Sequence, residues 1–273
     1  MATRLLNLEN VKRWLIKNNR GGLYDLVFYL YDLISGLDWI YDSRARVSRA
    51  SLNRYKNKYK GQTCFIIGNG PSLNKTDLSK LKDKYTFGLN RIFLLFDRLG
   101  FETTFFVSVN PLVVEQSLNE FQKIKSRKFF SWKVKNKVFF NKRTIFLRTL
   151  ARQLFSKNIT QGVWEGATVT YVALQLAYHM GFKKVVLVGV DHYYKTKGKA
   201  HKVIVSRGKD DNHFDPNYFV KGFKWNLPDL ETSRYAYELA RKAFDKDGRE
   251  IVDATVGGKL KIFRKVNYYR LFK

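Results

Sequence analysis

From Gly61 onwards, short apolar runs alternate with helical patterns, and this alternation constrains the fold more than any other feature. Runs rich in β-branched and aromatic residues predict five strands, at Thr63–Ile67, Tyr85–Leu89, Thr103–Val109, Val185–Val190 and Glu250–Asp253. Apolar residues at helical spacing predict three helices, at Leu112–Ile124, Ala167–Met180 and Leu230–Phe244. Strands that alternate with helices predict an α/β fold, in which helices cover both faces of a mainly parallel, Rossmann-like sheet.

Other segments differ from this core in composition. Residues 1–60 are basic and helical in pattern, and we interpret them as an appendage before a catalytic domain of residues 61–273. The basic and aromatic segment Lys125–Arg152 predicts an extra pair of strands. A Lys- and Gly-rich stretch at about 195–212 has few apolar residues, which predicts a mobile lid.

The charge of the chain indicates polyanionic partners, since 51 Lys and Arg residues against 23 Asp and Glu residues leave a net charge of +28. The most apolar stretch, Leu23–Tyr41, is interrupted by Asp25, Asp32 and Asp38, which argues against a spanning helix. Packing on the domain and lying in a membrane interface both fit this stretch. The basic residues on either side favour a cytoplasmic protein, peripheral at the anionic inner face of the membrane.

The strand Thr63–Ile67 runs directly into the turn Gly68-Asn69-Gly70-Pro71-Ser72-Leu73. An apolar strand followed by two glycines and a helix start is typical of a phosphate-binding turn, because glycine lets backbone amides approach an anion. The turn lacks the third glycine of the dinucleotide fingerprint and the Lys-Ser/Thr ending of a P-loop. A tight structural turn after a strand is the alternative interpretation.

Polar residues follow three other predicted strands, at Asn90, Asn110 and Asp191. Ligands of open α/β sheets bind beyond the carboxyl ends of the strands. We therefore predict that Asn90 and Asn110 face the same crevice as the glycine turn, where their amides suit a base edge or a ribose. Asp191 is expected at the rim, bound to the turn.

These motifs together resemble a known group of enzymes. The segments Gly68–Leu73, Asn90, Asn110-Pro111 and Gly189-Val190-Asp191-His192-Tyr193 are similar to the bacterial lipooligosaccharide sialyltransferases of glycosyltransferase family 42. They are equally similar to the broader group once called domain of unknown function 115, which includes flagellin-modifying glycosyltransferases and archaeal, MptE-like 6-hydroxymethylpterin diphosphokinases. The resemblance covers about Thr63 to Phe219. It implies a single-domain variant of the glycosyltransferase-A fold, with a CMP-linked sugar as co-substrate and neither a cofactor nor a metal ion.

The resemblance also implies roles for individual residues. The donor-binding residues would be Gly68, Asn69, Gly70, Pro71, Ser72, Asn90, Asn110 and Asp191. A nucleotide-contacting helix start would correspond either to Thr160-Gln161-Gly162 or to Glu165-Gly166-Ala167-Thr168. Tyr193 matches a tyrosine that hydrogen-bonds the leaving phosphate, and Tyr194 would replace a second one.

His213, which follows the predicted lid, corresponds to the general base of the family. A neutral imidazole can take a proton from a hydroxyl group near neutral pH, and we expect Asp211 and Asp215 to orient it. The implied reaction is an inverting transfer of a keto-sugar acid, sialic-acid-like or Kdo-like, to a hydroxyl group of a glycan or lipid-linked acceptor. Tyr193 and the amides of the glycine turn would stabilise the leaving phosphate.

Two other functions remain open at this point. A pterin diphosphokinase would use ATP and Mg²⁺, with Asp191, Asp210, Asp211 and Asp215 as the carboxylates available for the metal ion. A nucleic-acid binder would explain the positive charge, but the cations are spread along the chain without a recognition motif, so no specific nucleic-acid partner is expected. A homo-oligomer is compatible with the sequence.

Overall fold

The computed structural model describes residues 21–196 and 198–273; the first 20 residues of the predicted appendage and Lys197 of the predicted lid lie outside them. The strands are β1 (Thr63–Ile67), β2 (Tyr85–Leu89), β3 (Phe105–Ser108), β4 (Arg127–Ser131), β5 (Thr144–Leu147), β6 (Lys184–Val188), β7 (Val203–Val205), β8 (Lys224–Asn226), β9 (Glu250–Asp253) and β10 (Arg264–Lys265). The helices are α1 (Gly21–Ser35), α2 (Leu37–Tyr41), α3 (Ser43–Tyr55), α4 (Phe96–Leu99), α5 (Pro111–Glu115), α6 (Leu118–Lys123), α7 (Val169–His179) and α8 (Leu230–Lys246). Short 3₁₀ helices occupy Pro71–Lys75, Leu78–Leu81, Asn90–Leu95, Trp132–Val134 and Tyr268–Phe272.

Eight strands form one parallel sheet in the order β10-β9-β6-β1-β2-β3-β4-β5. This arrangement, with helices on both faces, confirms the predicted α/β fold with a mainly parallel Rossmann-like sheet. All five predicted strands are present, and the predicted extra pair in Lys125–Arg152 is β4 and β5. The sequence did not predict β10, nor β7 and β8, which pair antiparallel in a separate small sheet.

Two of the predicted segments have a different structure. The predicted helix Leu112–Ile124 is two helices, α5 and α6, because the backbone leaves helical geometry at the buried Ser117. The predicted lid contains β7, whose backbone is paired with β8. Its two ends are joined to each other as well, since the amide of Lys195 donates to the side-chain oxygen of Asn212 at 2.7 Å.

The core consists of two layers, one on each face of the sheet. In β1, Cys64 and Ile66 pack into one layer, and Phe65 and Ile67 pack into the other. A strand that buries both faces needs a continuous apolar run, and this run made these strands predictable from the sequence. Helix α7 lies in the first layer, and residues 170–179 of this helix are all buried.

The helices that precede β1 pack against the β5 edge of the sheet. The ring of Trp39 lies edge-on to that of Trp132, with centroids 5.1 Å apart, and the hydroxyl of Ser48 accepts a hydrogen bond from the amide of Phe146 at 3.0 Å. Asp32 is buried and accepts a hydrogen bond from the amide of Ala151 at 2.7 Å. Among the helices of the described residues, none combines the length and the apolar character needed to cross a bilayer.

His179 joins α7 to α3 and makes the stability of the fold depend on pH. Burial lowers the pKa of His179, although its contact of 2.9 Å between Nε2 and the carbonyl of Leu52 raises it. The unfolded chain therefore takes up this proton at a higher pH than the folded chain does. Stability that is present above about pH 6.5, the ordinary pKa of histidine, is lost as the pH falls below that value.

We expect the free energy of unfolding, measured with denaturant, to fall between pH 7 and pH 5, and to fall less in the His179→Gln variant. One proton limits the difference to about 1.4 kcal/mol for each pH unit. His192, whose pKa burial also lowers, accounts for part of the fall that the variant retains. An equally steep fall in both proteins would contradict the role of His179.

Candidate functional site

The crevice lies where the order of the strands reverses. From β1 the chain builds the sheet in one direction through β5, then returns to place β6 on the other side of β1. The turns after β1 and β6 therefore leave the sheet side by side, and their backbones touch. A Cβ at Gly68 would lie 2.3 Å from the carbonyl oxygen of Gly189, and Gly189 itself has a φ of +70°. Open α/β sheets bind their ligands at such a switch point.

The crevice has an inner and an outer part. The inner cavity, of about 120 Å³, lies against the glycine turn and the start of α7. The outer groove, of about 690 Å³, extends from there between β8, α1 and the chain that follows β5. Nine residues line both parts and so join them, among them Asn90, Thr168, Tyr194, His213 and Tyr218.

Much of the polar capacity of the glycine turn is used by the protein itself. The amides of Gly68 and Gly70 donate to the carbonyls of Val188 and Gly189, at 2.8 and 2.9 Å. The carboxylate of Asp191 accepts hydrogen bonds from the amide and the hydroxyl of Ser72, at 3.2 and 2.7 Å. The predicted role of these amides toward a phosphate therefore needs correction, because an internal carbonyl or carboxylate already occupies them.

Pro71 and Ser72, predicted to bind the donor, do not line the crevice. Pro71 is exposed, and Ser72 is buried beneath the turn against Asp191. Asp191 itself lines the inner cavity. Burial raises the pKa of its carboxyl group, while the two hydrogen bonds from Ser72 work in the other direction.

The three predicted asparagines all reach the crevice, but only two of them have free polar groups. The side-chain oxygen of Asn69, beside the inner cavity, is buried and has no hydrogen-bond partner among the described residues. Asn90 accepts from the hydroxyl of Ser108 at 3.0 Å, and no described residue accepts from its side-chain NH₂ group. Asn110 has a structural role, because its oxygen caps α5 at the amide of Leu112 and its NH₂ group donates to Asn226.

His213 lies in the crevice and is held from several sides. Its Nδ1 lies 2.8 Å from the Oδ2 of Asp210, and the two side chains are only 11% and 4% exposed. Its ring stacks on that of Tyr218, with centroids 3.9 Å apart and planes at 5°. Because the Asp210 carboxylate can only accept, its contact assigns the proton to Nδ1 of His213 and leaves Nε2 as the acceptor. A general base requires this arrangement.

The carboxylate that orients His213 is therefore Asp210, and the prediction of Asp211 and Asp215 was wrong. Asp211 is exposed and lies 3.7 Å from the Nζ of Lys195, and Asp215 accepts from the amide of Asn217. A separation of three residues in this loop brings Asp210 to the Nδ1 edge of the ring, whereas Asp211 is paired with Lys195. The sequence held one usable signal, the Asp-x-x-His spacing of Asp210 and His213.

The two predicted catalytic tyrosines have different surroundings. Tyr194 lines both parts of the crevice, with its ring centroid 6.2 Å from that of His213. Burial raises the pKa of Tyr194 to about 12, so its hydroxyl keeps its proton at neutral pH and can donate a hydrogen bond. Tyr193 lines only the inner cavity and is half exposed, and the Nζ of Lys259 lies 3.9 Å from the centre of its ring.

Of the two alternatives for the nucleotide-contacting helix start, the structure brings the second to the crevice. Gly166 and Thr168 line it, and Thr168 caps α7 by accepting from the amide of Thr170. The first turn of this 11-residue helix therefore faces the inner cavity with its positive end. Thr160, Gln161 and Gly162 do not line either part; the carbonyl of Thr160 instead accepts from the indole of Trp39 at 3.2 Å.

Residues that sequence reasoning missed form the wall of the outer groove. They include Arg148 and three tryptophans, Trp132, Trp164 and Trp225. No short motif marks these positions, because β4, β5, β8 and the start of α7 bring them together from distant parts of the chain. Within residues 21–196 and 198–273, no group of three or more His, Cys, Asp or Glu side chains is arranged to hold a metal ion.

Comparison with known proteins gives a family and a distant structural likeness. The sequence model of a family described as 6-hydroxymethylpterin diphosphokinase MptE-like matches residues 41–197. The structure of MAf glycosyltransferase from Magnetospirillum magneticum AMB-1 is similar at 15% identity and a TM-score of 0.48, over 81% of this chain and 38% of that one. The chain thus spans less than half the length of that protein. No curated protein matches the chain in sequence.

Substituting Gly68 tests whether the close approach of the two turns holds the crevice together. The methyl group of Gly68→Ala would meet a backbone carbonyl that cannot move alone, so we expect a loss of about 2 kcal/mol or more in the free energy of unfolding. Gly22→Ala is the control, because that exposed position in α1 also has an ordinary φ but has open space around a Cβ, so no loss is expected there. Denaturant unfolding that finds the control more damaging would contradict this account.

Proposed function

Because the chain belongs to the 6-hydroxymethylpterin diphosphokinase MptE-like family, we propose that its crevice binds a nucleotide-linked substrate, and that it acts as an inverting glycosyltransferase. The observation that carries this proposal is the pair formed by His213 and Asp210 in a crevice at the switch point of the sheet. A buried carboxylate that orients an imidazole toward a groove fits the removal of a proton from a hydroxyl group.

The inner cavity suits the nucleotide of the donor. The unpartnered oxygen of Asn69 would accept a hydrogen bond from a base or a ribose hydroxyl, and Asn90 would donate one. The first turn of α7 would face the phosphate with its positive end, beside the proton-bearing hydroxyl of Tyr194. We propose CMP as the nucleotide and a keto-sugar acid, sialic-acid-like or Kdo-like, as the sugar, from the resemblance of the motifs to the sialyltransferases.

The outer groove suits a glycan acceptor. It is much larger than the inner cavity, and the three tryptophans Trp132, Trp164 and Trp225 contribute to its wall. Flat aromatic surfaces with a few polar groups between them match the alternating apolar faces and hydroxyl groups of sugars. The acceptor would then approach His213 from the side opposite the nucleotide.

The reaction then requires only proton transfer and charge stabilisation. The Nε2 of His213 takes the proton from the acceptor hydroxyl, whose oxygen forms a bond to the anomeric carbon. The bond from that carbon to the phosphate oxygen of the nucleotide breaks, and the hydroxyl of Tyr194 donates to the phosphate as its negative charge grows. Asp210 holds the imidazolium that forms. Attack from the side opposite the leaving group inverts the configuration.

The name of the family suggests a second candidate, a diphosphokinase that would use ATP and Mg²⁺. Such an enzyme needs carboxylates for the metal ion, and the contacts of the available ones favour the transferase. Asp191 is bound to Ser72, Asp210 to His213, and Asp211 is paired with Lys195.

Two adjacent carboxylates provide a matched test of the proposed mechanism. We expect His213→Asn to lower the rate of transfer from CMP-N-acetylneuraminate to a lactoside by about 10²–10⁴-fold, because the general base is lost, while the affinity for CMP stays the same. Asp210→Asn should lower kcat substantially, whereas Asp211→Asn, with the same change of charge one residue away, should not. Transfer would be followed by chromatography of the sugar product without added metal ion.

Equal activities of the Asp210→Asn and Asp211→Asn variants would contradict the role of Asp210. Full activity of His213→Asn, or turnover that occurs only with ATP, Mg²⁺ and a pterin, would contradict the transferase itself.

We also propose that the surface of α1 and α2 binds an anionic membrane. The acidic side chain of Asp32 faces the protein, and large apolar side chains face outward: Leu26, Tyr29, Leu30, Leu33, Ile34, Leu37, Ile40 and Tyr41. Ile34 and Tyr41 are 71% and 75% exposed. A continuous apolar surface of this kind is unusual on a protein surrounded by water. The exposed cation Arg46 follows this surface in the chain, in α3, and anionic lipid is the partner that complements both features.

Vesicle sedimentation tests this surface. We expect the protein to sediment with vesicles of phosphatidylcholine and phosphatidylglycerol, more weakly with phosphatidylcholine alone, and much less in either case after the double change Leu30→Glu and Ile34→Glu. Val220→Glu is the control, since this exposed apolar side chain lies elsewhere on the protein. Unchanged sedimentation of the double variant would contradict the proposal.

A further inference from the structure

Arg148 carries a partly buried charge that has no ion-pair partner among the described residues. It follows β5 directly and lines the outer groove. Its Nε and Nη2 atoms are buried and have no hydrogen-bond partner among the described residues. Burial lowers the pKa of Arg148, while the more distant Asp32 and Asp38 raise it. Removing a charged donor from water without giving it a partner is costly, so such a group indicates a ligand.

The position of this guanidinium is defined by the backbone beside it. It lies flat against Gly36, at the junction of α1 and α2, where a Cβ would come within 2.3 Å of the Cζ of Arg148. Both nearby carboxylates are engaged elsewhere: Asp32 accepts from the amide of Ala151, and Asp38 accepts from the indole of Trp132. The protein thus positions Arg148 without neutralising it.

The other basic side chains of the outer groove each have an acidic partner. Lys133 lies 3.3 Å from the carboxylate of Glu165 and His201 lies 3.0 Å from that of Asp229. His213 is held by Asp210. Among the described residues that line this groove, Arg148 is the single cation without an acidic partner within 4.0 Å. One unpaired positive charge matches a ligand group with one negative charge.

We infer that Arg148 forms a carboxylate subsite in the outer groove, and that it selects a substrate that carries a carboxylic acid. The planar fork of a guanidinium binds a carboxylate through two parallel hydrogen bonds, which gives both strength and orientation. This inference rests on the proposed function, and it deepens that proposal by assigning the acid group of the substrate to a residue. The carboxylate belongs either to the sugar of the donor or to the acceptor, and the experiment distinguishes the two.

Calorimetric titration of the full chain separates these sources. The probes are CMP, CMP-N-acetylneuraminate, and, with the protein saturated by CMP, free N-acetylneuraminate and its uncharged methyl ester. We expect Arg148→Met to bind CMP as the wild type does, but to lose about tenfold or more in affinity for one of the acid probes. A loss for CMP-N-acetylneuraminate assigns the carboxylate to the donor, and a loss for the free acid alone assigns it to the acceptor.

Two further variants separate a binding role from a structural one. Gly36→Ala keeps the charge but displaces the guanidinium, so it should lose affinity for the same probe, and Arg148→Lys should recover only part of it. Arg143→Met, which removes an exposed cation from the other end of β5, is the matched control and should bind like the wild type. The melting temperature of Arg148→Met should equal or exceed that of the wild type, because an uncompensated charge is removed.

Undiminished binding of both acid probes by Arg148→Met would overturn the inference. It would also be overturned if the wild type bound CMP-N-acetylneuraminate no better than CMP, and the free acid no better than its methyl ester. A marked drop in the melting temperature of Arg148→Met would also overturn it, because the side chain would then be structural. Failure of the wild type to bind CMP contradicts the proposed nucleotide instead. In that case the comparison of the acid with its ester, without CMP, still decides the role of Arg148.

Discussion

The close approach of Gly68 to Gly189 is the constraint on which the crevice depends. Because β1 and β6 are parallel neighbours whose connections leave in opposite directions, their two turns separate beyond this contact and open a space between them. Any side chain at Gly68 would collide with the Gly189 carbonyl and force the turns apart. The contact places Asn69 and Asp191 beside the same inner cavity. This junction therefore sets the relative position of the two turns that border the crevice.

The protein pairs most of its buried polar groups, and the exceptions are informative. The amides of Gly68, Gly70 and Ser72 donate to groups of the protein itself. The side chain of Asn110 is bonded to Leu112 and Asn226, so these groups hold the fold together. By contrast, five described residues have buried side-chain atoms without a partner, and two of them, Asn69 and Arg148, line the crevice, whereas Arg91, Ser117 and His179 do not. Native proteins leave few such groups unsatisfied, and a functional role is one of the recognised reasons. The same reasoning underlies the proposed nucleotide contact and the carboxylate subsite.

The sequence predicted the main sheet well, because strands buried on both faces require unbroken apolar runs such as Thr63–Ile67. It did not predict β7, β8 and β10, which have only two or three residues and expose much of their surface. In the site, strand-end residues such as Asn90 were predictable, since parallel strands end at one edge. Which loop carboxylate contacts His213 depends on the path of the loop, which the sequence does not give. Nothing in the sequence distinguished Arg148, which lacks an acidic partner, from the other residues among the 51 Lys and Arg.

Nucleotide binding by the wild-type protein tests the central claim most directly. Thermal unfolding would be followed with CMP, CDP, UDP, GDP and ATP, each with and without Mg²⁺. If the crevice accommodates a cytidylate, CMP at about 100 times its dissociation constant stabilises the folded chain by about 2.7 kcal/mol without any metal ion. Stabilisation by ATP with Mg²⁺ and none by CMP would contradict the account and indicate the diphosphokinase.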